Sequence, residues 1–164
     1  MKQIATLRHK MIQLLDRVAF FSGFDASEKL LLVEGKGMIV MAEAGEAIIQ
    51  QDTQDATLYV PLSGVLEVRR RNEAGEQVAL AQLHAGEIIG EMAFLKDMPR
   101  SSSVVALEQS ILFRCSRQAL KNLSPQTREK LKDQLIDKLI HRIQEQNLKL
   151  SESQISPQQA QSAP

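Results

Sequence analysis

From Met38 to Cys115 the chain breaks into short apolar and β-branched runs, and no other feature restricts its fold as much. The runs are MIVMA, EAIIQQ, TLYVPL, GVLEVRRR, EQVALAQL, SSSVVAL and SILFRC. Gly45, Asp52 to Asp55, Ser63-Gly64, Asn72 to Gly75 and Gly86 stand between them as turn residues. Short strands at roughly 8 to 12 residue spacing, with a turn signal in each gap, read as an antiparallel β-roll of the barrel or jelly-roll kind. Pro61 has no amide hydrogen for a central ladder, so its run belongs at an edge or a bulge.

Helical signals flank this region. Ile4, Leu7, Met11, Leu14, Leu15 and Val18 recur at intervals of three and four, which predicts an amphipathic helix over 3–19 within an N-terminal segment 1–19. Phe20, Phe21 and Phe24 follow, and Asp25 with Glu28 make a D-x-x-E capping box before a short helix that ends near Gly35. The β-roll is assigned to 20–123. Ser124 as N-cap and Pro125 at the first helical position then open a long helix over 124–150. Its apolar stripe is Leu131, Leu135, Ile136, Leu139, Ile140 and Ile143. The polar stretch 151–164 predicts a disordered tail.

Composition removes several function classes. Lys+Arg and Asp+Glu both number 20, so no net basic field draws the chain to nucleic acid or an anionic membrane. The single cysteine, Cys115, rules out an internal disulfide, and no apolar run approaches the ~18 residues of a membrane span. A cytoplasmic protein without membrane insertion is expected. His9, His84 and His141 fall on different predicted elements with no ligand-spaced neighbour, so neither a metal site nor a cofactor is expected.

The chemistry concentrates in 86–106, GEIIGEMAFLKDMPRSSSVVA. Gly90 admits close backbone approach. Glu91 to Leu95 can form one helical turn whose first amides lack partners within the helix, which suits an anion. Arg100 adds a planar, permanently charged fork that fits phosphate, and Ser101 a hydroxyl and an amide. Glu91 would repel phosphate oxygens, so it must accept from a donor on the same ligand, such as a ribose hydroxyl. A nucleotide whose compact phosphate lies beside its own ribose satisfies both residues.

Gly90-Glu91-Met92-Ala93-Phe94 followed by Pro99-Arg100-Ser101-Ser102 resembles the phosphate-binding cassette of the cyclic nucleotide-binding domain family. That module is shared by the catabolite activator protein, protein kinase A regulatory subunits and cyclic nucleotide-gated channels. The resemblance extends over roughly residues 20 to 145 and takes in Gly45 to Ile49, Leu58-Tyr59-Val60 and Leu62-Ser63-Gly64. It implies a β-roll with helices at both ends, Glu91 on the ribose 2'-hydroxyl and Arg100 on the cyclic phosphate. It also implies amides near Gly90, Met92, Ala93, Ser101 and Ser102 completing the pocket, with the last helix over the base. The sequence departs from the family where a glycine-aspartate pair is usual, reading Gln51 to Asp55 instead, and where Ser102 replaces the common alanine. Asp52 tolerates a left-handed backbone, so a turn of altered shape is expected.

Plainer readings stand beside these. Glu91 and Arg100 could be a surface ion pair on a roll that binds nothing and serves as a docking scaffold. Cys115 fits a small core residue, and Arg69 to Arg71 a solvated hairpin. The last helix could pack on the roll, pair with a second copy or dock elsewhere; Lys138, Arg142 and Gln146 are long enough to reach a base.

The expectation is a cyclic nucleotide receptor rather than an enzyme, since the cassette supplies no general base beside a nucleophile. cAMP is favoured over cGMP because no further guanine-specific group stands out. Only about 14 residues follow Leu150, too few for a helix-turn-helix. The output is therefore expected through a separate effector protein, with a homodimer through the last helix as one arrangement.

Overall fold

The computed structural model describes residues 2–3 and 7–154. In chain order the elements are β1 (Lys2–Gln3), α1 (Arg8–Arg17), a 3-10 turn (Ala19–Phe21), α2 (Ala26–Glu34), β2 (Ile39–Ala42), β3 (Ala47–Ile49), β4 (Leu58–Ser63), β5 (Leu66–Arg71) and β6 (Gln77–Leu83). They continue as α3 (Glu91–Leu95), β7 (Ser103–Ala106), β8 (Ser110–Cys115), α4 (Arg117–Asn122) and α5 (Pro125–Gln154). The strands form two antiparallel sheets, ordered β1-β2-β8-β4 and β3-β7-β5-β6. This is the expected β-roll with helices at both ends. β4 is an edge strand, and its register slips between Pro61 and Ser63, as the missing proline amide requires.

Two cores hold the layers. Val40, Ile49, Tyr59, Leu66, Val104 and Leu112 pack between the sheets. Met11, Leu15, Phe20, Phe21, Leu32, Val60, Phe113 and Leu131 join the helices to the outer face of the first sheet. Phe21 sits edge-on to Phe20 and Phe113, with centroids 4.9 and 5.1 Å apart, the geometry that aromatic quadrupoles favour. Apolar material on both sides accounts for the burial of every β4 residue from Leu58 to Leu62. Cys115 is in this core, and burial pushes its thiol up to about 12, so it is not a thiolate nucleophile at neutral pH.

The helix ends differ from expectation at both termini. Lys2 and Gln3 pair with Met41 and Val40 as a strand, and α1 starts at Arg8, not residue 3. The short strand satisfies backbone groups on the outer side of β2 that a helix would leave unpaired. Ile4 lies outside the described residues. At the other end the helix runs on through Ser151 to Gln154, where a disordered tail was expected. SESQ contains no glycine or proline to stop propagation; residues 155–164 are outside the described part.

α2 and α5 are tied together at their starts. Asp25 accepts from the Glu28 amide (2.8 Å) and Glu28 from the Asp25 amide (2.9 Å), completing the capping box. Glu28, buried, also accepts from Lys130 Nζ at 2.7 Å. The Lys130 hydrogen bond outweighs burial and holds the Glu28 carboxyl below its ordinary range. The α5 stripe splits into two faces. Leu131 and Leu135 are buried and Leu139 packs on the same core, whereas Ile136, Ile140 and Ile143 are exposed.

Candidate functional site

A cavity of about 360 Å³ opens between the second sheet, α3 and α5, and all the cassette residues singled out in the sequence line it: Gly90, Glu91, Met92, Ala93, Arg100, Ser101 and Ser102. Ile49, Val68, Leu83 and Val104 give it an apolar wall. A larger groove of about 600 Å³ lies where α3, α4 and α5 meet; Phe94, Leu120, Leu135 and Ile136 form its apolar floor, its charged residues include Arg117, Glu129 and Lys132, and none of the cassette residues singled out above lines it.

Gly90 sets the geometry. Its φ of 82° lies in the left-handed region, and it is the N-cap of α3. A Cβ at this position would sit 2.9 Å from the Thr57 carbonyl oxygen and against the Arg100 guanidinium, so only glycine fits without displacement. The Phe94 amide bonds back to Gly90 O at 3.1 Å, and the amides of the first turn point out of the helix start.

Arg100 is almost wholly buried, at 3% exposure, though it carries a permanent charge. Nη1 donates to Gly90 O (3.1 Å), and Nη2 to Asp55 Oδ2 (2.9 Å) and Thr57 O (2.5 Å). Nε is buried without a hydrogen-bond partner among the described residues. Leaving a buried donor unmet costs about 1–3 kcal/mol, and more when the group is charged, so Nε is a donor open to an acceptor. Burial raises the Asp55 carboxyl, but hydrogen bonds from Arg100 and Thr57 outweigh it and hold the group below its ordinary value.

The departed turn, Gln51 to Asp55, clamps Arg100 from the other side. Asp52 adopts a left-handed φ of 67°, its amide donates to Arg100 O (2.8 Å), and the Arg100 amide donates to Thr53 O (3.0 Å). The Asp52 carboxylate pairs with Arg71, and Arg70 Nε donates to Ser101 O at 3.2 Å. The hairpin arginines therefore brace the cassette, which the sequence reading did not anticipate.

Glu91 is 9% exposed and does not pair with Arg100. Its Oε1 accepts from Arg142 Nη1 on α5, whose Nη2 donates to Ile88 O at 3.0 Å. Of the three long side chains proposed to reach over the pocket, Arg142 lines it, and Lys138 and Gln146 do not. Arg117, at the start of α4, donates to Phe94 O (3.0 Å) and Ala93 O (3.3 Å), satisfying carbonyls at the end of α3. Nothing in the sequence pointed to Arg117 or Asp55, because both act through contacts made by separate elements.

Among the described residues no three His, Cys, Asp or Glu side chains come together, and no helix is long and apolar enough to cross a membrane.

Over 62 residues the chain is 36% identical to a cAMP-dependent protein kinase regulatory subunit of Mycosarcoma maydis, covering 38% of this chain and 12% of that protein. Over 74 residues it is 35% identical to the cyclic AMP receptor protein of Thermus thermophilus, covering 45% of this chain and 34% of that one. The chain thus spans about a third or less of the length of these curated relatives. A solved cyclic nucleotide-binding domain from Methylobacillus flagellatus shares the fold, with a TM-score of 0.70 at 23% identity over 91% of this chain and 85% of that one. The family model of the cyclic nucleotide-binding domain matches residues 39–126, more than half of the 164 residues and the whole of the cassette. The chain belongs to the cyclic nucleotide-binding domain family.

Proposed function

We propose that this protein binds a cyclic nucleotide, cAMP in preference to cGMP, without turning it over, and passes the binding event to a separate effector protein. The observation that carries the reading is the buried, unpartnered Nε of Arg100 beside the open start of α3. A cyclic phosphate placed there accepts from Nε and from the amides near Met92, Ala93, Ser101 and Ser102. Its ribose 2'-hydroxyl then donates to the Glu91 carboxylate, which already holds Arg142 through Oε1. The base lies along Ile49, Val68 and Leu83. Among the described residues Glu87 and Glu91, the carboxylates lining the pocket, accept from the His84 amide and from Arg142 and not from a serine hydroxyl, which supports a ligand that is bound intact.

The output follows from what α3 touches. Arg117 fastens the end of α3 to α4, and Arg142 fastens its start to α5, so movement of the cassette is passed to both helices. The open groove between α3, α4 and α5 gives them room to close. A ligand that fits the closed arrangement better shifts the population toward it. Ile136, Ile140 and Ile143 then offer the effector, or a second copy of the chain, an apolar face whose setting depends on the ligand.

A thermal-shift panel with cAMP, cGMP, 5'-AMP and adenosine tests this. At about 100 times Kd, cAMP raises Tm by roughly 5–10 °C, while adenosine, without a phosphate, gives little. A pure docking scaffold gives no shift with any of them.

A further inference from the structure

Six methionines occur in the sequence, and the structure sorts those it describes with side chains by access. Met11 and Met38 are buried at 3% and 4% exposure, and Met41 is half-buried. Met92 and Met98 are 56% and 37% exposed, and both line the ligand cavity. Among the described methionines, the two most accessible therefore line the pocket. Met92 is the second residue of α3, in the turn whose amides face the cavity, and Met98 stands two residues before Arg100.

We propose that Met92 and Met98 form a redox-modification site, at which oxidation to the sulfoxide by a hydroperoxide weakens nucleotide binding and bound nucleotide slows the oxidation. The inference rests on the nucleotide reading above. A thioether lone pair attacks one peroxide oxygen, the O–O bond breaks as the S–O bond forms, and the leaving oxygen takes up the proton as water or alcohol. Sulfur is oxidised by two electrons and the peroxide reduced by two. A thiol-dependent sulfoxide reductase reverses the step, removing the oxygen as water while two thiols become a disulfide.

The chemistry at the pocket changes sign with that oxygen. A thioether is apolar and adaptable and suits a wall formed by Ile49, Val68 and Leu83. A sulfoxide oxygen is a strong acceptor carrying partial negative charge. The same cavity is lined by Arg100, Ser101, Ser102 and the first turn of α3, so a sulfoxide oxygen there competes with the phosphate for their donors. Loss of one such hydrogen bond to the ligand corresponds to about a 10-fold fall in affinity. By linkage, saturating ligand protects the methionines.

The full chain is treated with hydrogen peroxide with and without saturating cAMP, oxygen uptake at each methionine is followed by peptide mass spectrometry, and both samples are titrated calorimetrically. Expected are oxidation at Met92 and Met98 ahead of Met11 and Met38, slower uptake with cAMP, and an affinity about 10-fold lower that sulfoxide reductase restores. The Met92→Leu/Met98→Leu variant should show the same affinity before and after treatment, whatever its starting value. Unchanged affinity with both sulfoxides formed, or uptake at the buried methionines at equal rate, overturns the inference. Failure of the untreated protein to bind either cAMP or cGMP would instead overturn the nucleotide reading, and this inference with it.

Discussion

Arg142 in α5 donates to Glu91 in the first turn of α3 across 51 residues of sequence, and to the Ile88 carbonyl at 3.0 Å. The carboxylate proposed for the ribose hydroxyl thus also holds a side chain of the last helix. On the proposed function, sensing and output share one side chain.

Arg142→Ala should separate the two. Nucleotide affinity is expected to fall about 5- to 30-fold, because Glu91 loses the charge-assisted partner that orients it. Hydrogen exchange across 136–150 should rise in the ligand-free protein and no longer respond to ligand. Retained protection there on adding cAMP would show that the coupling to α5 does not run through Arg142.

Asp55 is a positioning residue for Arg100. Asp55→Asn leaves the bonds to Gly90 O and Thr57 O and removes the carboxylate, so affinity should fall about 3- to 10-fold with the fold intact. The Asp55 carboxyl is held below its ordinary value of 3.8, hence ionised throughout the neutral range. Wild-type affinity should therefore be flat between about pH 5 and 8 and weaken only in stronger acid, as the falling pH passes through the lowered value.

Gly90→Ala forces a left-handed φ of 82° on a residue with a Cβ and pushes that atom toward Thr57 O and Arg100. A destabilisation of about 1–3 kcal/mol and loss of nucleotide binding are expected. Gly45→Ala, with φ at 84° and nothing within 4 Å of its Cβ, carries only the backbone strain and should still bind. Urea denaturation and titration of both variants check the pair.

Glu28→Gln keeps the capping box and breaks the charge pair with Lys130. Tm should drop by about 3–6 °C at neutral pH. Because the folded-state value lies below 4.5, this contribution is fully present above that pH and is lost as the pH falls through the lowered folded value. Wild type and variant should therefore converge in acid, and a Tm gap that persists there contradicts the assignment.

The cassette was legible because its chemistry depends on residue types at a fixed interval in one continuous stretch, Gly90 to Ser102. Strand punctuation gave the roll for a related reason, since turn residues act locally. What stayed hidden depends on how distant elements rotate toward each other. Lys138, Arg142 and Gln146 recur every four residues, and the sequence could not say which points inward until the roll fixed the phase of α5. Leu135 and Ile136 looked like one stripe, yet adjacent helical residues diverge by about 100°, so one is buried and the other faces solvent. Asp55 lay in a turn whose shape the sequence left open, and the early end of α1 was decided by strand pairing with β2.

The most direct test is the calorimetric titration of ligand-free protein with cAMP, set against Arg100→Ala. The account predicts micromolar or tighter binding by the wild type and a loss of roughly 10²–10³-fold in the variant, since the phosphate would lose its only buried charge partner in the cassette. No heat from the wild type with cAMP or cGMP, or equal affinity in the variant, would contradict it.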